Sequence, residues 1–217
     1  MLDCVILDMD GTLLDTERLA IGAWQRSGRK CGVEIPVDFI KGHFGMNRAA
    51  IDQRYRDAFG PSFPIDAIRK ERNAEGMRMA REDPVPVKPG AFELLEYLKT
   101  AGIPAVLATS TEMERARLLM ERSGLWPYLS DAVCGSMVPK SKPEPDIFLE
   151  AARRVKADPA RSLVVEDSEH GARAGLAAGS HVVIVPDLCA IDPAVLDRVT
   201  VCPSLKEVIG VVKELSA

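Results

Sequence analysis

The chain has 217 residues, 47% of them hydrophobic and 28% charged, and 28 Lys+Arg against 32 Asp+Glu give a formal charge of -4. That mild acidity, with no block of like charge, argues against nucleic acid or an anionic membrane as the main partner. An average share of Gly and Pro excludes collagen-like and low-complexity chains, and the length admits one domain, or one carrying an insertion.

The first apolar run, Cys4–Leu7, reads as a buried strand and ends in Asp8-Met9-Asp10-Gly11-Thr12. From Thr16 to Val85 no strand-like run follows. Helical periodicity covers Leu19–Arg29, Ala49–Phe59 and Ile65–Arg81, broken by Pro36, Gly42, Gly45, Gly60, Pro61 and Pro64. These roughly 70 residues predict an all-α insertion. Asp83–Pro89, with three prolines, predicts an extended, stiffened return strand. Then come a helix at Phe92–Lys99, a strand at Ala105–Ala108 running into Thr109-Ser110-Thr111, and a helix at Glu112–Arg122. The loop Lys140-Ser141-Lys142-Pro143-Glu144-Pro145 leads into a helix at Asp146–Val155. A strand at Ser162–Val165 ends in Glu166-Asp167, before a helix at His170–Ala178 and a strand at His181–Val185. Gly102, Gly124 and Gly179 stand where left-handed helix caps are wanted. The alternation predicts an α/β fold: a doubly wound, Rossmann-like parallel-sheet core over residues 1–15 and 86–217, with a helical cap domain inserted at 16–85.

The opening segment is too short in its apolar run, and too acidic, for a secretory signal, and no stretch approaches ~18 apolar residues. Cys4, Cys31, Cys134, Cys189 and Cys202 form no CxxC pair, so reduced thiols and a cytoplasmic protein, monomeric or weakly dimeric, are expected.

Four places carry chemistry. Asp8 and Asp10, two apart on an extended segment, face one side. Carboxylates ~4 Å apart repel by about 4 kcal/mol at an effective dielectric near ~20, so the pair calls for a shared proton or a cation, Mg2+ above all. An acidic turn that merely caps a helix is the plain alternative. Thr109 and Ser110, where a strand meets a helix, can bind phosphate oxygens or simply cap that helix. Lys142, directly before Pro143, is a lysine with a restricted backbone that can face an anion; a solvated loop lysine is the alternative. Glu166 and Asp167 end a buried strand, where an acidic pair is costly unless a cation meets it, although Asp167 or Ser168 can also cap the next helix.

In that order these motifs resemble the haloacid dehalogenase-like superfamily, and the helical insertion with KPEPDIF and EDSEHGARAG resembles its members with a small helical cap, the phosphoglycolate phosphatase and β-phosphoglucomutase group. The resemblance spans Asp8 to Gly179. It implies Asp8 as nucleophile and Asp10 as general acid and base. It implies Mg2+ on the Asp8 and Asp167 carboxylates and the Asp10 carbonyl, with Glu166 behind them or as an alternative ligand. Thr109 would bind a phosphoryl oxygen and Lys142 would offset charge. Asp10 speaks against dehalogenation, which needs no second aspartate. Ala20 stands where β-phosphoglucomutase-like members carry a histidine, so the expected function is a phosphatase of a small phosphorylated metabolite, with a phosphomutase as the alternative. Substrate choice is expected in the loop Lys41-Gly42-His43-Phe44-Gly45-Met46-Asn47-Arg48, where Arg48 aligns with a phosphate-binding cap arginine or else is solvated. His181 is expected to pack at its strand start.

Overall fold

The computed structural model describes residues 1–42, 48–188 and 190–217. It divides into two compact units, Met1–Asp15 with Val85–Ala217, and Thr16–Pro84.

The first unit is built on a six-stranded, wholly parallel sheet: β1 (Cys4–Leu7), β2 (Ala105–Thr109), β3 (Asp131–Cys134), β4 (Ser162–Glu166), β5 (His181–Ile184) and β6 (Thr200–Val201), in the order β3-β2-β1-β4-β5-β6. Strands β1, β2 and β4 are buried along their whole length, which explains their apolar runs (Cys4–Leu7, Ala105–Ala108 and Leu163–Val165), since helices cover both faces of a parallel sheet. On one face Cys4, Ile6, Val106, Ala108, Val164 and Val182 pack against α7 (Asp146–Arg154) and α8 (Glu169–Ala177) through Phe148, Ala151, Ala172 and Ala174. The alternate residues Val5, Leu7, Leu107 and Leu163 are buried on the opposite face, and α5 (Ala91–Ala101) packs on β2 and on α10 (Leu205–Ser216). The short helices α6 (Met113–Arg122) and α9 (Pro193–Leu196) complete the unit. Gly102, Gly124 and Gly179 have φ of 70°, 79° and 78°, the left-handed geometry expected of them.

The second unit contains α1 (Thr16–Lys30), α2 (Val37–Lys41), α3 (Arg48–Phe59) and α4 (Ile65–Glu82), around a cluster of Trp24, Ile35, Ile40, Tyr55, Phe63, Ile65 and Ile68. Trp24 and Phe63 stack on Tyr55 with ring centroids 5.3 and 5.2 Å away.

Three expectations are corrected. The return segment is not a strand: Val87 makes one isolated antiparallel bridge to Leu14, because three prolines between residues 83 and 89 remove the donors a ladder needs. His181 is exposed, since it sits at the open end of β5 before burial begins. Strands β3 and β6, and helices α2, α9 and α10, are additional to the elements read from the sequence.

Candidate active site

The register of three neighbouring strands builds the site. Leu7 pairs with Leu107 on one side and Val165 on the other, so the next residues, Asp8, Ala108 and Glu166, stand level at the carboxyl ends of β1, β2 and β4. The Asp8 N–H donates to the Val165 carbonyl at 3.0 Å and fixes the exit of the chain from β1. Lys142, buried, comes in from the loop before α7 and uses all three ammonium protons on this level. Its Nζ donates to Asp8 Oδ1 at 2.6 Å, to Glu166 Oε1 at 2.6 Å and to the Ala108 carbonyl at 3.1 Å, and it lies 5.0 Å from the centre of the Phe148 ring.

Glu166 is committed at its other oxygen too. Oε2 accepts from the N–H groups of Asp167 and Ser168, both at 3.1 Å, and from Ser168 Oγ at 2.9 Å. Ser168 in turn caps α8 by accepting from the Gly171 N–H at 3.1 Å. A Cβ at Gly171 would fall 1.9 Å from the Glu166 carboxyl, so this packing requires glycine. Asp167 is also buried and receives the Thr12 hydroxyl on Oδ1 at 3.2 Å. Gly11 makes room for it. With φ of 87° and a would-be Cβ 2.2 Å from Asp167 Oδ2, position 11 rejects any side chain on both backbone and steric grounds.

Asp8, Glu166 and Asp167 each offer a carboxylate oxygen, all within 4.8 Å of one another and all buried. Hard oxygen donors of this kind suit a small divalent cation. The electrostatics point the same way. Burial is the largest influence on Asp8 and raises its carboxyl, Lys142 pulls it down, and Glu166 and Asp10 push it up again, to about 8. Burial disfavours the Lys142 ammonium, but Asp8 and then Glu166 more than offset this and hold it above the ordinary lysine range. One lysine therefore does not neutralise the pocket, and a further positive charge is wanted.

Thr109, buried at the end of β2, accepts the Thr111 N–H on Oγ1 at 3.0 Å. Thr111 donates its own hydroxyl to Asp10 Oδ2 at 2.6 Å. Helix α6 takes Glu112 as its N-cap without a side-chain bond, so neither Thr109, Ser110 nor Thr111 caps it. Ser110 is exposed. Arg48 belongs to the helical unit, where it begins α3 with 72% of its side chain exposed and pairs with Asp66 at 3.5 Å and Asp52 at 3.9 Å. Residues 43–47 of the expected substrate loop lie outside the described residues. Thus Asp8, Lys142, Glu166 and Asp167 share one cluster, Asp10 and Thr109 are linked through Thr111, and Arg48 stands in the other unit. Sequence reasoning left Thr12 and Thr111 without roles. Their signal was only a hydroxyl inside a motif.

The model of the family described as haloacid dehalogenase-like hydrolase matches residues 2–179. Hexitol phosphatase A of Escherichia coli is 34% identical over 182 residues, 83% of this chain and 81% of that protein. A bifunctional riboflavin kinase/FMN phosphatase of Arabidopsis thaliana is 32% identical over 186 residues, 85% of this chain, which spans about half of that longer relative (48%). Among solved structures, β-phosphoglucomutase of Clostridium difficile superimposes with a TM-score of 0.81 over 99% of this chain and 97% of its own, at 21% identity, a likeness that speaks for the fold alone.

Proposed function

Because the chain belongs to the haloacid dehalogenase-like hydrolase family, we propose that it is a Mg2+-dependent phosphatase of small organic phosphomonoesters, working through an aspartyl-phosphate on Asp8. The observation that carries this reading is the buried Lys142 ammonium shared between Asp8 and Glu166 beside Asp167. It holds one oxygen of a prospective nucleophile and lowers the repulsion that a dianionic phosphate would meet.

Bound Mg2+ would be held by Asp8, Asp167 and the Asp10 carbonyl, and would supply positive charge to the phosphoryl group. Glu166 stays behind the ligands, since its two oxygens already serve Lys142, Ser168 and two backbone N–H groups. A carboxylate oxygen of Asp8 attacks phosphorus as the ester P–O bond breaks, and Asp10 gives its proton to the departing alkoxide. Water then attacks the aspartyl-phosphate, Asp10 takes its proton, and the Asp8 carboxylate and phosphate are released. The Thr109 hydroxyl accepts from Thr111 N–H and keeps its own proton to donate to a phosphoryl oxygen. Residues 16–84, one position shorter than the sequence alone suggests, act as the cap that chooses the substrate, with Arg48 and the exposed Ser110 as candidate contacts. The relative named for hexitol phosphates supports a phosphorylated polyol or sugar.

The test is phosphate release with Mg2+ over hexitol and sugar phosphates, glycolate phosphate, FMN and 4-nitrophenyl phosphate. Asp8→Asn should lower the rate by at least ~10³-fold, to what binding and charge stabilisation alone provide. Activity surviving in Asp8→Asn, or release unaffected by removing Mg2+ with EDTA, overturns the reading.

A further inference from the structure

The Thr111 hydroxyl is half-buried, yet it serves neither its own loop nor helix α6, whose N-cap is Glu112 with no side-chain bond. It crosses from the end of β2 to the end of β1 and donates to Asp10 Oδ2 at 2.6 Å. Its backbone is itself held, because its N–H donates to Thr109 Oγ1 at 3.0 Å and Thr109 is buried in the sheet. The donor that meets Asp10 therefore sits on a fixed platform. A hydrogen bond at this length to one carboxyl oxygen fixes the plane of the carboxyl group about its last torsion, which is otherwise broad.

On this basis, and resting on the phosphatase reading above, we infer that Thr111 is a positioning residue that aligns the Asp10 carboxyl for proton delivery to the leaving alcohol. In that step the Asp8 oxygen forms its bond to phosphorus and the ester P–O bond breaks. The bonding pair goes to the alcohol oxygen, which takes the proton from Asp10. Thr111 touches neither phosphorus nor the alcohol; it acts through Asp10. Alignment matters in proportion to how badly the leaving group needs a proton. An alkyl phosphate leaves as a strongly basic alkoxide, whereas 4-nitrophenolate leaves unprotonated.

The experiment compares kcat/KM, which covers binding through departure of the alcohol, for the best alkyl phosphate of the panel and for 4-nitrophenyl phosphate. Thr111→Val should lower the alkyl value ~10–100-fold, the size of effect expected from a misplaced general acid, and the aryl value by less than about 3-fold. Thr111→Ser, which keeps the hydroxyl, should restore the alkyl value to within about 3-fold. Equal losses on both esters, no loss on either, or failure of Thr111→Ser to restore the alkyl rate overturns the inference. If Thr111→Val does not fold, Thr111→Ala and Thr111→Ser are compared in the same way. A wild-type protein that hydrolyses neither ester overturns the phosphatase reading and this inference with it. An active wild type whose alkyl-to-aryl ratio is unchanged in the Thr111 variants overturns the role of Thr111 alone.

Discussion

Asp8 carries a cost when no metal is bound. Its carboxyl ionises near 3.8 in an ordinary setting and is raised to about 8 here, mainly by burial, with Glu166 and Asp10 adding to it against Lys142. A carboxyl with a raised native pKa binds its proton more tightly folded than unfolded. The stabilisation this gives is complete below about pH 4 and is lost as pH rises toward 8. Asp8→Asn removes the titration. In EDTA, the wild-type melting temperature should therefore fall between pH 5 and 8 more steeply than that of Asp8→Asn, and at pH 8 the variant should be the more stable protein. Parallel melting curves across that range would show that Lys142 already neutralises the pocket. The residues of this cluster were legible because each chemical demand leaves its own local mark: carboxylates at two strand ends, and a lysine before a proline. Whether Glu166 is a ligand was not legible. That depends on where Lys142 and the Ser168 hydroxyl point, which are contacts made across 24 and two positions of the chain. The same holds for Thr111, one of three consecutive hydroxyl residues that only the loop geometry separates.

Helix α4 is tied to α1 by Glu75, whose largely buried carboxylate receives Arg26 at 2.9 Å and Arg78, on its own helix, at 3.1 Å. Hydrogen bonds from Arg78 first, and then Arg26, bring its pKa down from 4.5 to about 2. A depressed carboxyl pKa contributes stability that is fully present above the ordinary value and disappears as pH falls through the native one. Glu75→Gln should therefore melt earlier than wild type at pH 7, and the gap should close between pH 5 and 2. It should also narrow in high salt, since both arginines are nearly half exposed. A gap independent of pH would mean that shape, not charge, is what Glu75 supplies. Elements inside the sheet were read correctly and those at its edges were missed, for a physical reason. Strands β1, β2, β4 and β5 have neighbours on both sides and helices on both faces, so their sequences are continuous apolar runs. The edge strands are β3, which opens on the half-buried Asp131, and β6, two exposed residues long. Helix α10 buries Leu205, Val208 and Val212 at helical spacing, but Val208-Ile209-Gly210-Val211-Val212 reads equally well as a strand around a glycine.

The insertion reads in the sequence as a strand-free stretch that ends in a proline-rich return, and the structure shows why a fold can carry it. The Asp15 N–H donates to the Pro86 carbonyl at 2.9 Å, Leu14 bridges Val87, and the Lys88 N–H donates to the Leu13 carbonyl at 2.9 Å. The chain thus leaves and re-enters the α/β unit at one place, and the backbone groups on either side pair with each other. Each unit also has an apolar cluster drawn only from its own residues, around Phe148, Val164 and Ala172 in one and around Tyr55 in the other. Where ends are already joined by hydrogen bonds, a short linker can replace what lies between at little entropic cost. Replacing residues 16–84 with about three Gly and Ser residues should leave a protein that unfolds in one cooperative transition and is still stabilised by millimolar Mg2+, because Asp8, Lys142, Glu166 and Asp167 all lie outside the deleted segment. If the helical unit selects the substrate, the shortened protein should also lose most of its discrimination among phosphate esters while keeping activity on 4-nitrophenyl phosphate. Circular dichroism melts with and without Mg2+, followed by the phosphate-release panel, measure both. Loss of the cooperative transition would show that the α/β unit depends on the insertion to fold, and unchanged discrimination would place substrate choice on the loops at the carboxyl ends of the strands instead.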